Sequence, residues 1–261
     1  MKSNGHPGNK GQAKNQNGYI LPLVSIITAT FNAEKDLDQC IHSVLGQKYD
    51  NIEFIIIDGA STDTTLDIIK KYDDQIDYWI SEKDRGVYDA LNKGINVAKG
   101  EWLYFLGADD RLADDKVLQN IFSKPRESKL LYGNVRWGDT GRIYDGEFSR
   151  LKLFRLNICQ QAIFYHRDLF TSLGRFNLRY NVKADWVFNM KAFAAKDVKP
   201  SFIDIIVADY NNEGMSSVAE DENLYRERED IFRECFGKVN LFRAKLSHFL
   251  ETRILSAGTS K

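Results

Sequence analysis

Between residues 23 and 106 continuous apolar runs alternate with segments of helical periodicity, a pattern that few folds accept. Leu23–Thr30 (LVSIITAT) and Glu53–Asp58 (EFIIID) are rich in β-branched and apolar residues at successive positions, as in strands buried on both faces. Tyr78–Ser81 and Trp102–Leu106 read as two further strands. Between them, Leu37, Cys40, Ile41, Val44 and Leu45 mark an amphipathic helix over 34–46. Leu66, Ile68, Ile69 and Tyr72 mark a second helix, and Val87, Leu91, Ile95 and Ala98 a third. Alternating strands and helices of this kind imply an α/β layer, a mainly parallel sheet flanked by helices, with ligands held outside the carboxyl ends of the strands. Three of those ends are polar or acidic: Thr28–Asn32, Asp58–Ser61 and Gly107–Asp110.

Several function classes fall away. The longest apolar runs, Trp102–Leu106 and Phe54–Ile57, are far shorter than the ~20 residues a spanning helix needs. No apolar segment follows the N-terminal lysines, so no secretory signal is expected. Cys40, Cys159 and Cys235 are widely spaced, as buried thiols of a reducing compartment would be, and the four histidines form no zinc pattern. The expectation is a cytoplasmic protein without a structural metal. The formal net charge of −1 is unevenly divided. Lys2, Lys10 and Lys14 stand in 1–19 without an acid, and Lys238, Arg243, Lys245, Arg253 and Lys261 face only Glu251 in 237–261. The body between is therefore acidic, which argues against a nucleic-acid partner.

Residues 1–19, poor in apolar side chains, read as a flexible tail, and 20–217 as one compact domain. Within its second half, Leu130–Arg136, Arg142–Glu147, Ala162–Tyr165 and Phe202–Asp209 read as strands and Trp186–Ala195 as a helix. Residues 218–261 read as a helical extension. Its end mixes Val239, Leu241, Phe242, Leu246, Phe249, Leu250 and Ile254 with Lys238, Arg243, Lys245 and Arg253. Such a helix suits either an anionic membrane surface or the domain itself and a partner subunit.

Four acids stand out. Asp109-Asp110 lies just past a strand, where paired carboxylates either share a hard divalent cation or cap the helix carrying Val117, Leu118 and Ile121. Asp58, ending a strand before Gly59-Ala60-Ser61-Thr62-Asp63, suits hydrogen bonds to a base or ribose, or a capping turn. Asp185, before Trp186, reads locally as a helix N-cap. There is no Gly-x-Gly-x-x-Gly after the first strand, no Gly-Lys-Ser/Thr loop and no Gly-x-Ser-x-Gly elbow.

Motifs in order carry a resemblance. Val24–Glu34 (VSIITATFNAE), Ile57–Asp63 (IDGASTD), Asp84–Gly94 (DRGVYDALNKG), Gly100-Glu101-Trp102 and Phe105–Asp110 (FLGADD) are followed by Gln161–Tyr165 (QAIFY), Ala184-Asp185-Trp186 and Gly214-Met215-Ser216. Over roughly residues 22–217 the chain resembles the family-2 glycosyltransferases of GT-A fold, with a Rossmann-like nucleotide-binding sheet. The nearest subgroup is that of bacterial O-antigen, capsule and exopolysaccharide synthesis.

The resemblance implies residue roles. Thr28, Phe31, Asn32 and Glu34 correspond to the pocket for the donor's base and ribose, and Asp58 to the acid contacting the base. Asp89 and Asn92 lie in a segment lining the nucleotide-sugar site. Asp109 corresponds to the last acid of the Asp-x-Asp metal motif, so Mg²⁺ or Mn²⁺ is expected on Asp109 and Asp110. Asp185 corresponds to the general base, against its local reading. Gly107 departs from the family at the motif's first acid, and Gly59 where many relatives carry a second Asp. The implied reaction is inverting transfer from a nucleotide-diphosphate sugar, a UDP-sugar first among donors, to a saccharide or lipid-linked saccharide. It would take place in the cytoplasm or peripherally on the inner face of the plasma membrane. A nucleotidyltransferase lacks support, since no Gly-rich, Arg-containing loop follows the first strand. A non-catalytic scaffold is the remaining alternative, suggested by Gly107 and opposed by the joint presence of Asp58, Asp109 and Asp185.

Overall fold

The computed structural model describes residues 13–14, 18–211 and 220–258, the last eight as backbone only. The Gly214-Met215-Ser216 motif, the first twelve residues of the expected tail, and the side chains of Arg253 and Ile254 lie outside that description. In chain order the elements are β1 (Val24–Thr30), α1 (Leu37–Leu45), β2 (Ile52–Asp58), α2 (Thr65–Lys71), β3 (Tyr78–Ser81), α3 (Val87–Val97), β4 (Trp102–Phe105) and β5 (Arg111–Leu112). There follow α4 (Val117–Phe122), β6 (Leu130–Trp137), β7 (Arg142–Tyr144), α5 (Arg150–Arg155), β8 (Ile163–His166), α6 (Asp168–Ser172), α7 (Ala184–Ala194), β9 (Ser201–Tyr210) and α8 (Glu222–Gly258).

The sheet runs β3-β2-β1-β4-β8-β6-β9-β5, with β7 on β6. Parallel pairing, expected from the βα alternation, joins β3, β2, β1 and β4. Beyond β4 the sheet is mixed: β8 is antiparallel to β4 and β6, while β6 and β9 are parallel. The short β5, α5 and α6 have no counterpart in the sequence reading, because runs of two to six residues leave no measurable period.

Strand side chains alternate between two cores. Ile26, Phe54, Ile56 and Tyr104 pack under α1 and α4, while Ile27, Ile55, Ile57, Leu103 and Phe105 pack against α3, α6 and α7. Both faces are covered, hence the continuous apolar runs. The beginning of α8 belongs to the second of these cores, since Phe232 meets Phe154 of α5 edge-on at 4.9 Å, with Leu224 and Phe236 buried nearby. A turn at Gly237, with φ at 82°, bends α8 there, in a region of backbone space that glycine reaches readily.

Gly94 sets how closely α3 approaches the sheet. A Cβ there would overlap Cγ2 of Ile27, whose branched side chain has little freedom to yield. Gly94→Val is expected to lower the unfolding free energy by ~1–3 kcal/mol. Urea titration checks this; an unchanged midpoint would show that the helix moves away without penalty.

Candidate functional site

Strand register brings the first group of residues to one edge. Thr30 of β1 pairs with Asp58 of β2, which pairs with Ser81 of β3, so three strands finish in one row. Asp58 is fully buried there, accepting from the Ser61 amide (3.0 Å) and hydroxyl (2.5 Å) and from the Ser81 hydroxyl (2.6 Å). Its carboxylate thus orders the loop that follows it. Ser61 Oγ in turn accepts from the Asn32 amide at 2.8 Å, and Asn32 Oδ1 accepts from the Thr62 amide at 2.9 Å. Glu34 accepts from the Thr64 amide (3.1 Å) and hydroxyl (2.8 Å). The loops after β1 and β2 are therefore laced together. Both turn through left-handed backbone at non-glycine residues, Asn32 (φ 49°) and Ala60 (φ 63°), a conformation that tertiary bonds must hold. Asp63 accepts from the Thr65 amide at 3.0 Å, so a helix-start turn coexists with the Asp58 arrangement.

Of the other residues expected on the donor, Thr28 is buried in β1 beside Cys40, and Phe31 stands 62% exposed at the rim. A ring this open has no packing reason to be apolar. A Cβ at Gly59 would come to 2.7 Å from Asp84 Oδ2 and 3.4 Å from Phe31 Cδ2, so glycine leaves room for that carboxylate to approach. Asp84 was not singled out in the sequence. Asp89, at the start of α3, accepts from the backbone and guanidinium of Arg85 (3.0 and 3.2 Å); burial works to raise its pKa, but Arg85 holds it below the ordinary value. Asn92 exchanges two hydrogen bonds with the backbone of Phe176 (2.9 and 3.0 Å), tying α3 to the segment leading into α7.

Past β4, Asp109 and Asp110 differ sharply. Asp110 is buried, and its oxygens accept from Gln161 Nε2 (2.7 Å) and the Asn211 amide (2.7 Å). Burial, and then the Asp109 charge, raise its pKa. Asp109 is half-buried, its pKa raised by burial, and no other described residue donates a hydrogen bond to its carboxylate. Neither acid caps α4: Lys116 occupies the N-cap and its amide donates to Asp114 at 2.7 Å. At Gly107 a Cβ would overlap Asp110 Oδ2 and lie 2.9 Å from Asp109 Oδ1, so a side chain there would require both carboxylates to shift. Among the described residues no three His, Cys, Asp or Glu side chains gather as a complete metal cage.

Asp185 is not an N-cap. Lys183 holds that position, and Asp185 sits in the first turn of α7 with its side chain turned inward, 5% exposed. Tyr88 Oη donates to Oδ1 and Asn157 Nδ2 to Oδ2, each at 2.6 Å. Burial raises its pKa, while those two bonds and the Lys183 charge pull it back. It lines a cavity of about 400 Å³, with Tyr88, Trp137, Tyr144, Trp186 and Tyr210 among the walls. The segment 157–161 links the two acid centres: Asn157 bonds Asp185, and Gln161, also in the wall, bonds Asp110. Gln161 belongs to a motif legible in the sequence, yet Tyr88, Asn157 and Gln161 had no assigned role there, for nothing local marks a partner so distant.

The chain matches Glycosyl transferase family 2 over residues 25–181. It is 39% identical over 200 residues to a PGL/p-HBAD biosynthesis glycosyltransferase of Mycobacterium bovis (strain BCG / Pasteur 1173P2), covering 74% of this chain and 78% of that one. Among solved structures, S. aureus TarS 1–349 in complex with UDP-GlcNAc superposes with a TM-score of 0.67 at 22% identity, covering 80% of this chain and 65% of that one. The mannosyltransferase PcManGT from Pyrobaculum calidifontis, in complex with GDP-Man and Mn²⁺, gives 0.60 at 18%, covering 80% and 61%. This chain thus spans less than two thirds of each of those two chains, and the likeness to them is one of fold. The family match takes in the laced loops, α3 and the acids after β4, and together with the M. bovis relative it shows that the chain belongs to glycosyl transferase family 2, with the GT-A fold.

Proposed function

We propose that this glycosyltransferase moves a sugar from a nucleoside-diphosphate donor, UDP-linked first among candidates, to an acceptor hydroxyl with inversion, using Asp185 as general base. The observation that carries this reading is the Asp185 carboxylate, buried, fixed at both oxygens and lining an open cavity of about 400 Å³. A sugar hydroxyl is a weak nucleophile, and a positioned base that takes its proton as it attacks the anomeric carbon gives typically 10²–10⁴-fold. Tyr88 and Asn157 hold the carboxylate for one direction of attack. A chain kept only as a scaffold has no use for such a group. UDP-GlcNAc in the TarS complex and GDP-Man in the PcManGT complex support a nucleotide-sugar donor.

The donor edge is assigned to Phe31, Asn32, Glu34 and Asp84, with Thr28 and Asp58 behind them as buried supports and Asp89 and Asn92 fixing α3. A divalent cation, Mg²⁺ or Mn²⁺, fits Asp109, a hard oxygen donor to whose carboxylate no other described residue donates. When bound, such an ion offsets charge growing on the departing diphosphate. Asp110, whose oxygens already accept from Gln161 and Asn211, is assigned to holding the loop that presents Asp109. The test is UDP binding and sugar transfer by the intact chain and by Asp185→Asn; near-normal turnover in the variant would remove Asp185 from the reaction.

The acceptor is assigned to surface polysaccharide or glycolipid synthesis, in keeping with the M. bovis relative named for PGL/p-HBAD biosynthesis. A membrane surface suits α8. Val239, Phe242, Leu246, Phe249 and Leu250, each 46–67% exposed, fall on one stripe ~100° wide. Lys238 and Lys245 border it on one side and Arg243 on the other, while Ala244 and Leu241 face the domain. Apolar stripes edged by cations lie in anionic interfaces. No described helix is long and apolar enough to cross a membrane. Phe242→Glu with Leu246→Glu is expected to abolish flotation with anionic liposomes without changing the melting temperature; flotation that persists would exclude this face.

A further inference from the structure

The cavity over Asp185 carries a charge pattern that the transfer reaction itself does not require. Asp185 is the one acid among its described lining residues, while Arg155, Lys183 and Arg228 all line it. The Arg228 guanidinium lies over three rings, Phe154 (5.1 Å), Tyr225 (5.8 Å) and Trp186 (5.9 Å). Among the described residues it forms no ion pair, and its buried Nε has no hydrogen-bond partner. The Lys183 side chain likewise has neither hydrogen bond nor ion pair among the described residues. An arginine held by aromatic faces and left without an anion keeps its planar fork of donors available, and that fork matches a carboxylate or phosphate. A buried donor without a partner also costs stability unless a ligand satisfies it.

The proposed donor edge contributes nothing to the described wall that carries these cations: Phe31, Asn32, Glu34, Asp58 and Asp109 are all absent from its lining. The wall beside them is aromatic, with Trp137, Tyr144 and Tyr210, the surface against which the C–H face of a sugar ring packs.

We propose that the acceptor of this enzyme is anionic: the saccharide whose hydroxyl faces Asp185 bears a carboxylate or phosphate, which Arg228 receives with Lys183 beside it. This rests on the reading of Asp185 as general base. A uronic acid would supply the carboxylate and a sugar phosphate the phosphate, and both present the same acceptor oxygens to the arginine fork.

The test uses the full chain saturated with UDP and Mn²⁺ and titrates in methyl β-glucuronide, glucose 1-phosphate and neutral methyl β-glucoside, followed by ligand-observed NMR. At least one anionic probe is expected to bind about tenfold tighter than the neutral one; which of them does so identifies the source of the charge. The preference should shrink as ionic strength rises. Arg228→Gln is expected to erase it while leaving UDP affinity and neutral-probe affinity unchanged, and Arg228→Lys to retain part of it. Equal binding of all three probes, or a preference that survives Arg228→Gln, overturns the proposal. Loss of UDP affinity in Arg228→Gln also overturns it, by moving the arginine to the donor. Failure of the underlying reading is separately visible, as an absence of any UDP binding or as undiminished transfer by Asp185→Asn.

Discussion

Asp185→Asn is expected to lower glycosyl transfer by about 10²–10⁴-fold while UDP affinity changes by less than about twofold. The amide has the carboxylate's shape, so Tyr88 and Asn157 still surround it and the cavity keeps its form. What is lost is a group able to take the hydroxyl proton. The pH profile gives a second readout. Burial raises the Asp185 pKa above its ordinary 3.8, against the pull of Tyr88, Asn157 and Lys183. Tyr88 of α3, Tyr144 of β7, Tyr165 of β8 and Cys159 also face this region, and burial raises each of their pKa values, keeping them neutral near pH 7. With Asp185 as the proposed base, transfer needs its ionised form, so the rate is expected to fall as pH drops through that raised value. The acid limb therefore lies above the range of a solvated aspartate and is missing from the residual rate of Asp185→Asn. A limb of equal position in both proteins would assign it to another group.

Asp109→Ala is expected to weaken Mn²⁺-dependent UDP binding by more than about 100-fold, since even the outer partners of metal ligands are worth 10–100-fold. Calorimetry with Mn²⁺ and with EDTA separates the effect: the wild-type chain loses affinity in EDTA, and the variant has little metal-dependent affinity to lose. The melting temperature without metal should hold, because no other described residue donates a hydrogen bond to this carboxylate. Asp110 predicts the opposite pattern, with its oxygens bonded to Gln161 and Asn211. Unchanged Mn²⁺-dependent affinity in Asp109→Ala would place the cation elsewhere.

The fold's parallel half was legible because burial on both faces favours apolar residues at successive strand positions, and nine of the fourteen residues in Val24–Thr30 and Ile52–Asp58 are apolar. Helices α1 and α3 were legible for the complementary reason, one buried stripe on an otherwise polar segment. The antiparallel turn of the sheet at β8 left no mark, since a buried strand has the same composition whichever way it runs. Asp185 shows the limit most clearly. A carboxylate near the start of a helix has the local appearance of a cap, and only Tyr88, 97 residues away, and Asn157, 28 residues away, turn it inward.

Composition and period determined the α/β layer, the polar edge at which its strands end and the acids that lie along it, because those follow from which residues must leave water and which way successive side chains point. Motif order added the family. Tertiary structure decided how these groups differ: Asp109 open and Asp110 tied, Asp58 buried, Asp185 lining a cavity, and Arg228 among three rings with no ion pair among the described residues. Those distinctions depend on which distant donors and rings occupy the space around each charge. Burial makes each such contact decisive, because a charge removed from water must find its partner within the protein or in a ligand.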